Sequence, residues 1–297
     1  MTVAKDSGGA VPVPWLVGHD CAWASDQPLP MVAVEAALLR QLLQHFGQAV
    51  RAFEHGARAR GDAAALVACC HGGVEQTQFD HALHLGSEPL TVRQILRVCL
   101  GPPLALLPAC YAGRTDEDAA GNAVGVAAAF MLSGTKVVSA SSKAVPDLLQ
   151  PWLSTLTVWH AMQGLAHHEA ATLAREQFAR LEFPQAYRSW LQAALPQALA
   201  TIQPGGDEDR HIRGAHAHLV LEAVAECWPW EGDGEHLFDA DSARRNAATR
   251  SVVQGILRPR GGEEGARALA AEAREMAAFV FVYGVVQSGA SRGGAAG

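Results

Sequence analysis

The chain has 297 residues, 49% hydrophobic and 18% charged, with 23 Lys+Arg against 30 Asp+Glu. So large an apolar share excludes a disordered chain, and the length suits one large domain or one domain with an appendage. A net charge of −7 without a dense basic run argues against a nucleic-acid partner, and no stretch supplies the roughly 20 apolar residues of a membrane-spanning helix.

Pro12 and Pro14 interrupt any apolar leader, so no signal peptide is expected. The six cysteines (Cys21, Cys69, Cys70, Cys99, Cys110 and Cys227) are too few for a disulfide framework, and four sit in apolar runs. A reduced, cytoplasmic protein is the expectation.

In chain order, residues 13–17 form an apolar run ending at Gly18, His19 and Asp20, a first core strand. Leu38, Leu39, Leu42, Leu43 and Phe46 then recur at three- and four-residue spacing, which predicts an amphipathic helix over 31–60, stopped by Gly61 and Asp62. Residues 63–70 are unbroken apolar, a strand buried on both faces. Residues 79–85 alternate and predict a short exposed strand or hairpin arm. Thr91 can cap a helix over 92–99, which Gly101, Pro102 and Pro103 end.

Residues 104–109 are the next buried run, 121–133 a helix rich in small residues, and 136–139 a further strand, after which Pro146 opens another helix. Strands alternating with helices predict an α/β fold, a mostly parallel sheet with helices on both faces. The character changes after about residue 200. Residues 204–209 read as a linker, 263–276 as a helix, and the Gly/Ala/Ser-rich end as a frayed tail. The division expected is 1–203 for the α/β domain and 204–297 for a mainly helical extension with a regulatory or docking role.

Two predicted strand ends carry chemistry. The strand 63–70 runs into His71, Gly72 and Gly73, and the strand 104–109 into Cys110, then Tyr111, Ala112 and Gly113. Ligands of an open parallel sheet bind beyond the carboxyl ends of its strands. If these strands are neighbours, a His and a Cys meet on one rim. The glycines admit a substrate backbone and leave amides for an oxyanion, the needs of Cys–His acyl transfer. The plainer reading of either residue alone is a buried thiol and a turn histidine.

The blocks 66–72 (Leu-Val-Ala-Cys-Cys-His-Gly) and 104–113 (Leu-Ala-Leu-Leu-Pro-Ala-Cys-Tyr-Ala-Gly) resemble the CHAT domain of caspase-like cysteine peptidases. The resemblance continues through Gly125, Ala129, Phe130, 133–135 and 137–140, and upstream through Leu29, Pro30, Glu35 and Ala36, covering about 11–180. After the second block's following strand the family often carries Trp and an Asp-rich turn. Here residues 141–147 read Ser-Ser-Lys-Ala-Val-Pro-Asp.

The resemblance implies a caspase-like three-layer sandwich and a cysteine endopeptidase. Cys110 would be the nucleophile, His71 would give the leaving amine its proton, and the amides of Gly72 and Cys110 would hold the oxyanion. It also implies a protein substrate, in a regulated bacterial defence or cell-death-like pathway, with an activating or sensor protein as a further partner. A gasdermin-like pore former is the conjectured substrate.

Asp20 falls on the same rim; the resemblance to caspase-like peptidases implies that this region can line the pocket before the cut, where an acid would favour Arg or Lys. An Asx turn is the plainer reading, and Asp147 is weighed the same way; both are carried as substrate-binding candidates. Cys69 and Cys70 are expected to be core thiols, since adjacent strand residues point to opposite faces and cannot pair on one zinc. His211, His216 and His218 with Asp209 read as solvated surface, and Asp116, Glu117 and Asp118 as a solvated turn. No cofactor and no metal site is expected. The rivals are an idle CHAT scaffold with Trp228 and Trp230 as contact anchors, and thiol-dependent hydrolysis or acyl transfer on a non-peptide substrate.

Overall fold

The computed structural model describes residues 13–19, 30–53, 63–73, 81–85, 88–98, 101–114, 116–117, 123–145, 149–200 and 262–284. The first strand, β1 (Trp15–His19), is followed by helix α1 (Pro30–His45). Leu38, Leu39, Leu42 and Leu43 make its fully buried stripe. The helix ends fifteen residues short of the sequence expectation of residue 60. Gly47 takes φ +68°, its N–H bonds to the Gln44 carbonyl, and the Gln48 N–H bonds to the Leu43 carbonyl. A left-handed residue just past the last turn is how helices commonly stop. The freed chain makes a short strand, β2 (Val50–Ala52), which helical periodicity had absorbed.

Strand β3 (Ala65–Cys69) is buried throughout, as an all-apolar run requires. The chain then builds a three-stranded antiparallel ribbon from β4 (His71–Gly73), β5 (Ala82–Leu85) and β6 (Glu88–Thr91). Of the strand or hairpin arm expected at 79–85, residues 82–85 form an arm of that antiparallel ribbon, buried rather than exposed because Leu83 and Leu85 pack into the core. Thr91 caps α2 (Val92–Val98) reciprocally with Gln94. The Gln94 N–H donates to the Thr91 hydroxyl at 3.2 Å, and the Thr91 N–H to the Gln94 side-chain oxygen at 2.7 Å.

Strand β7 (Leu104–Leu107) follows, then a small hairpin of β8 (Asp116–Glu117) and β9 (Ala123–Val124). Helix α3 (Val126–Leu132) starts later than its small-residue run suggested, since residues 123–124 are taken by the hairpin. Strand β10 (Val137–Ser141) leads to α4 (Gln150–Met162), α5 (His167–Arg180) and α6 (Gln185–Ala200). Residues 262–284 supply α7 (Gly262–Phe279) and, directly after it, β11 (Val280–Gly284).

The main sheet has the order β11-β10-β7-β3-β1-β2. All its pairings are parallel except β10 with β11. One apolar layer, against α1 and α4 to α7, includes Leu38, Leu42, Trp152, Leu156, Phe178 and Met276. The other, against α2, α3 and the ribbon, includes Leu83, Ile95, Phe130 and Val138. Adjacent residues of β3 serve opposite layers, Val67 the first and Leu66 the second. The result is an α/β three-layer sandwich of the caspase-like kind. No helix among the described residues is long and apolar enough to cross a membrane.

Candidate active site

Strands β3 and β7 are parallel neighbours, with Leu66 opposite Ala105 and Val67 opposite Leu106, so their carboxyl ends open onto one rim. Past β3 come Cys70 and then His71, the first residue of β4. Past β7 come Pro108, Ala109 and Cys110. His71 is buried and Cys110 half-buried. The two turns are packed backbone to backbone. A Cβ at Gly72 would overlap the Cys110 carbonyl oxygen and lie 2.9 Å from the Cys110 carbonyl carbon and 3.3 Å from its amide nitrogen. Only glycine lets the His71–Gly72 strand lie this close to the Cys110 peptide.

The turn after Cys110 is tight. Tyr111 sits at φ +58°, a region non-glycine residues rarely enter, and the Arg114 N–H closes back on the Tyr111 carbonyl at 2.9 Å. Residues 141–145, leaving β10, fasten this turn. The Gly113 N–H donates to the Ser141 carbonyl at 2.7 Å and the Tyr111 N–H to the Lys143 carbonyl at 3.1 Å. The Val145 N–H donates to the Cys110 sulfur at 3.3 Å. The Ser141 hydroxyl donates to the Lys143 carbonyl at 3.0 Å, bracing the second loop from within.

The C-terminal segment grips both loops. The Tyr283 hydroxyl on β11 donates to the Gly113 carbonyl at 3.0 Å. Ser142 donates its N–H to the Phe279 carbonyl at 3.0 Å, and the Lys143 ammonium lies 3.6 Å from the centre of the Phe279 ring. Partial burial pushes the Tyr283 phenol above its ordinary pKa, so it stays protonated and able to donate.

Cys69 and Cys70 are buried on opposite sides of the sheet. Burial and the neighbouring Glu35 carboxylate, which shares a hydrogen bond with its thiol, push Cys69 well above the usual thiol pKa. It is an inert thiol, unlike a reactive one in an electropositive, accessible setting. Among the described residues no group of three or more His, Cys, Asp and Glu side chains could hold a metal ion.

Asp20, Asp147, Asp118, Asp209, His211, His216, His218, Trp228 and Trp230 lie outside the described residues, and Asp116 and Glu117 are placed only as backbone of β8. The sequence reading missed three neighbours of the rim. Val145 acts through its amide, to which residue type is blind. Tyr283 comes from a strand hidden behind a helical pattern. His84 was visible within the alternating segment 79–85, but its pairing with His71 needs the ribbon's register.

A family model described as the CHAT domain matches residues 9–202, close to two thirds of the chain. The protein belongs to the CHAT-domain family. No curated protein matches it. The CHAT match spans β1 to α6, including both turns of the rim, while α7 and β11 lie beyond it. The caspase-like, cysteine-peptidase character of the CHAT fold therefore attaches to the part of the chain that carries His71 and Cys110.

Proposed function

We propose that this CHAT-domain protein is a cysteine endopeptidase acting on a protein substrate through Cys110 and His71. The observation that carries this reading is the packing of Gly72 on the Cys110 peptide, which joins the His71 and Cys110 turns at the carboxyl ends of adjacent parallel strands. In the proposed cycle the Cys110 sulfur attacks the scissile carbonyl carbon while His71 takes the thiol proton. The amides of Gly72 and Cys110 bind the oxyanion. His71 then passes the proton to the departing amine, and water, deprotonated by His71, cleaves the thioester and restores the thiol.

The cysteine usage supports a cytoplasmic enzyme, and the family resemblance extends this to a regulated defence or cell-death-like pathway, switched on by a sensor or activating protein. Its substrate is a partner activated by cleavage, and Asp20 and Asp147 are the side chains assigned to substrate binding. Intact-mass labelling with peptide electrophiles carrying Arg, Asp or Leu at the cleavage position tests the core of the reading. Runs with and without Ca2+ and candidate partners, beside Cys110→Ser and His71→Ala, should give fast modification at Cys110 that requires His71. A Cys110 no more reactive than a free thiol in every condition would sink the peptidase reading in favour of a binding scaffold.

A further inference from the structure

A small, partly open cavity lies between the carboxyl ends of β7 and β10 and the first turns of α4. Strand alternation turns Ser139 and Ser141 of β10 to that side, and Pro108 reaches it just past β7. Opposite them Gln150, Ser154 and Thr157, at spacings of four and three, line one face of α4. Ser141, Ser154 and Thr157 are buried. The rest of this layer is made of residues such as Leu38, Trp152 and Phe178, and a core serving stability alone would place apolar side chains here too.

Most of these polar groups are used locally. The Ser141 hydroxyl donates to the Lys143 carbonyl at 3.0 Å and the Thr157 hydroxyl to the Leu153 carbonyl at 2.8 Å. Ser154 accepts the Gln150 side-chain N–H at 3.1 Å. The Gln150 side-chain oxygen is left over, closed off from solvent and without a hydrogen-bond partner. Exchanging the two ends of the amide would leave its nitrogen in the same position. The lining thus holds one unmet hydrogen bond and, among the described residues, no charged side chain. The space suits about one water molecule. Its rim is shared with the Cys110 turn, since Pro108 and Ala109 lead directly into Cys110 and the Ser141 carbonyl accepts the Gly113 N–H at 2.7 Å.

We propose that this cavity receives the side chain of the substrate residue at the cut and selects a small, uncharged hydroxyl, serine above all. The proposal rests on the reading of Cys110 as the nucleophile. A serine side chain is one methylene and one hydroxyl, close to the room available, and its O–H can donate to the Gln150 oxygen. Alanine enters but leaves that oxygen unpaired. Leucine does not fit unless α4 or β10 gives way. Arg and Asp would each carry a charge into a lining whose described residues offer no counter-charge.

The test is labelling of Cys110 in the full chain by peptide electrophiles that differ only at the cut position, carrying Gly, Ser, Ala, Leu, Asp or Arg. Wild type, Gln150→Leu and Ser139→Leu are compared. Wild type should react with the Ser reagent about fivefold faster than with Ala, the worth of one hydrogen bond. The Leu, Asp and Arg reagents should be slower than Ser by about tenfold or more. Gln150→Leu removes the unpaired oxygen and should bring the Ser-to-Ala ratio to about one. Ser139→Leu fills the cavity and should make Gly, which needs no cavity, the best reagent.

A wild-type ranking led by Leu, Asp or Arg overturns the proposal, and this needs no variant to fold. A wild-type Ser-to-Ala ratio near one overturns it as well and leaves the cavity to a water molecule. So does a wild-type ratio kept in a folded Gln150→Leu protein. Labelling of Cys110 that requires His71 yet ignores the residue at the cut sinks the pocket alone and leaves the peptidase reading standing. A Cys110 that no reagent labels in any condition sinks both.

Discussion

The backbone amide of Val145 points at the sulfur of Cys110, 3.3 Å away across 35 residues of chain. A main-chain donor is set by the fold rather than by a rotamer, and a thiolate accepts such a bond more strongly than a thiol does. Val145 also precedes Pro146, which keeps it out of helical geometry. Val145→Pro deletes the donor and should slow labelling of Cys110 by about five- to tenfold, the worth of roughly 1 kcal/mol. Val145→Ala keeps the amide and should stay within about twofold, on the same energy scale. Equal rates for the two variants would remove the amide from the chemistry.

Gly72 makes a harsher test, because the atom it lacks would collide with backbone. Gly72→Ala must push the β4 strand and the Cys110 turn apart. Overpacking of this kind costs about 1–3 kcal/mol, and near-ångström displacement of reacting groups can cost about a hundredfold in rate. The expected outcome is a lower Tm with labelling of Cys110 slowed about a hundredfold. Wild-type labelling in the alanine variant would show that the two turns need not touch.

Tyr283 lies outside the CHAT match yet holds the Cys110 turn through the Gly113 carbonyl. Tyr283→Phe keeps the ring and removes the hydroxyl, leaving that carbonyl without this donor, at a cost of about 1 kcal/mol. We expect a small fall in Tm and a several-fold slower reaction at Cys110, with Phe281→Ala on the same strand as a control that spares the turn. An unchanged rate in Tyr283→Phe would make the clasp purely structural.

His167 supplies a pH dependence remote from the rim. Burial at the start of α5 holds its pKa below the ordinary 6.5. As pH falls through about 6.5 the unfolded imidazole takes up a proton that the folded one still refuses. Stability from this group is therefore fully present above about pH 7 and lost as pH drops towards the folded pKa. Thermal unfolding at pH 7.5, 6.5 and 5.5 should show a shallower loss in His167→Gln than in wild type. Parallel curves would contradict the shift.

The rim was legible in the sequence because punctuation marks it. Residues 63–70 and 104–109 are apolar without break and end in His-Gly-Gly and Cys-Tyr-Ala-Gly, so strand, strand end and candidate residue coincide. Their adjacency needed only the connectivity of a parallel sheet. Boundaries set by a single backbone angle were not legible. The stop of α1 turns on Gly47, inside a pattern whose periodicity reaches Phe46 and whose charged residues continue beyond it. Strand β11 was hidden for the opposite reason: α7 passes into it at Phe279–Val280 with no Gly, Pro or Asn between. Three-residue strands such as β4 are too short for alternation to register.

The antiparallel pairing of β11 with β10, five residues from Val137 opposite Gly284 to Ser141 opposite Val280, gives the body two covalent parts. The first runs to Ala200 and the second enters at Gly262, which makes the sheet discontinuous in sequence. A polypeptide ending at the family boundary near residue 202 would expose the raw edge of β10 and lose the phenol that steadies Gly113. Among the described residues the two stretches are joined by that strand ladder and the α5–α7 contact, so the Cys110 turn is steadied across the join by a stretch distant in sequence.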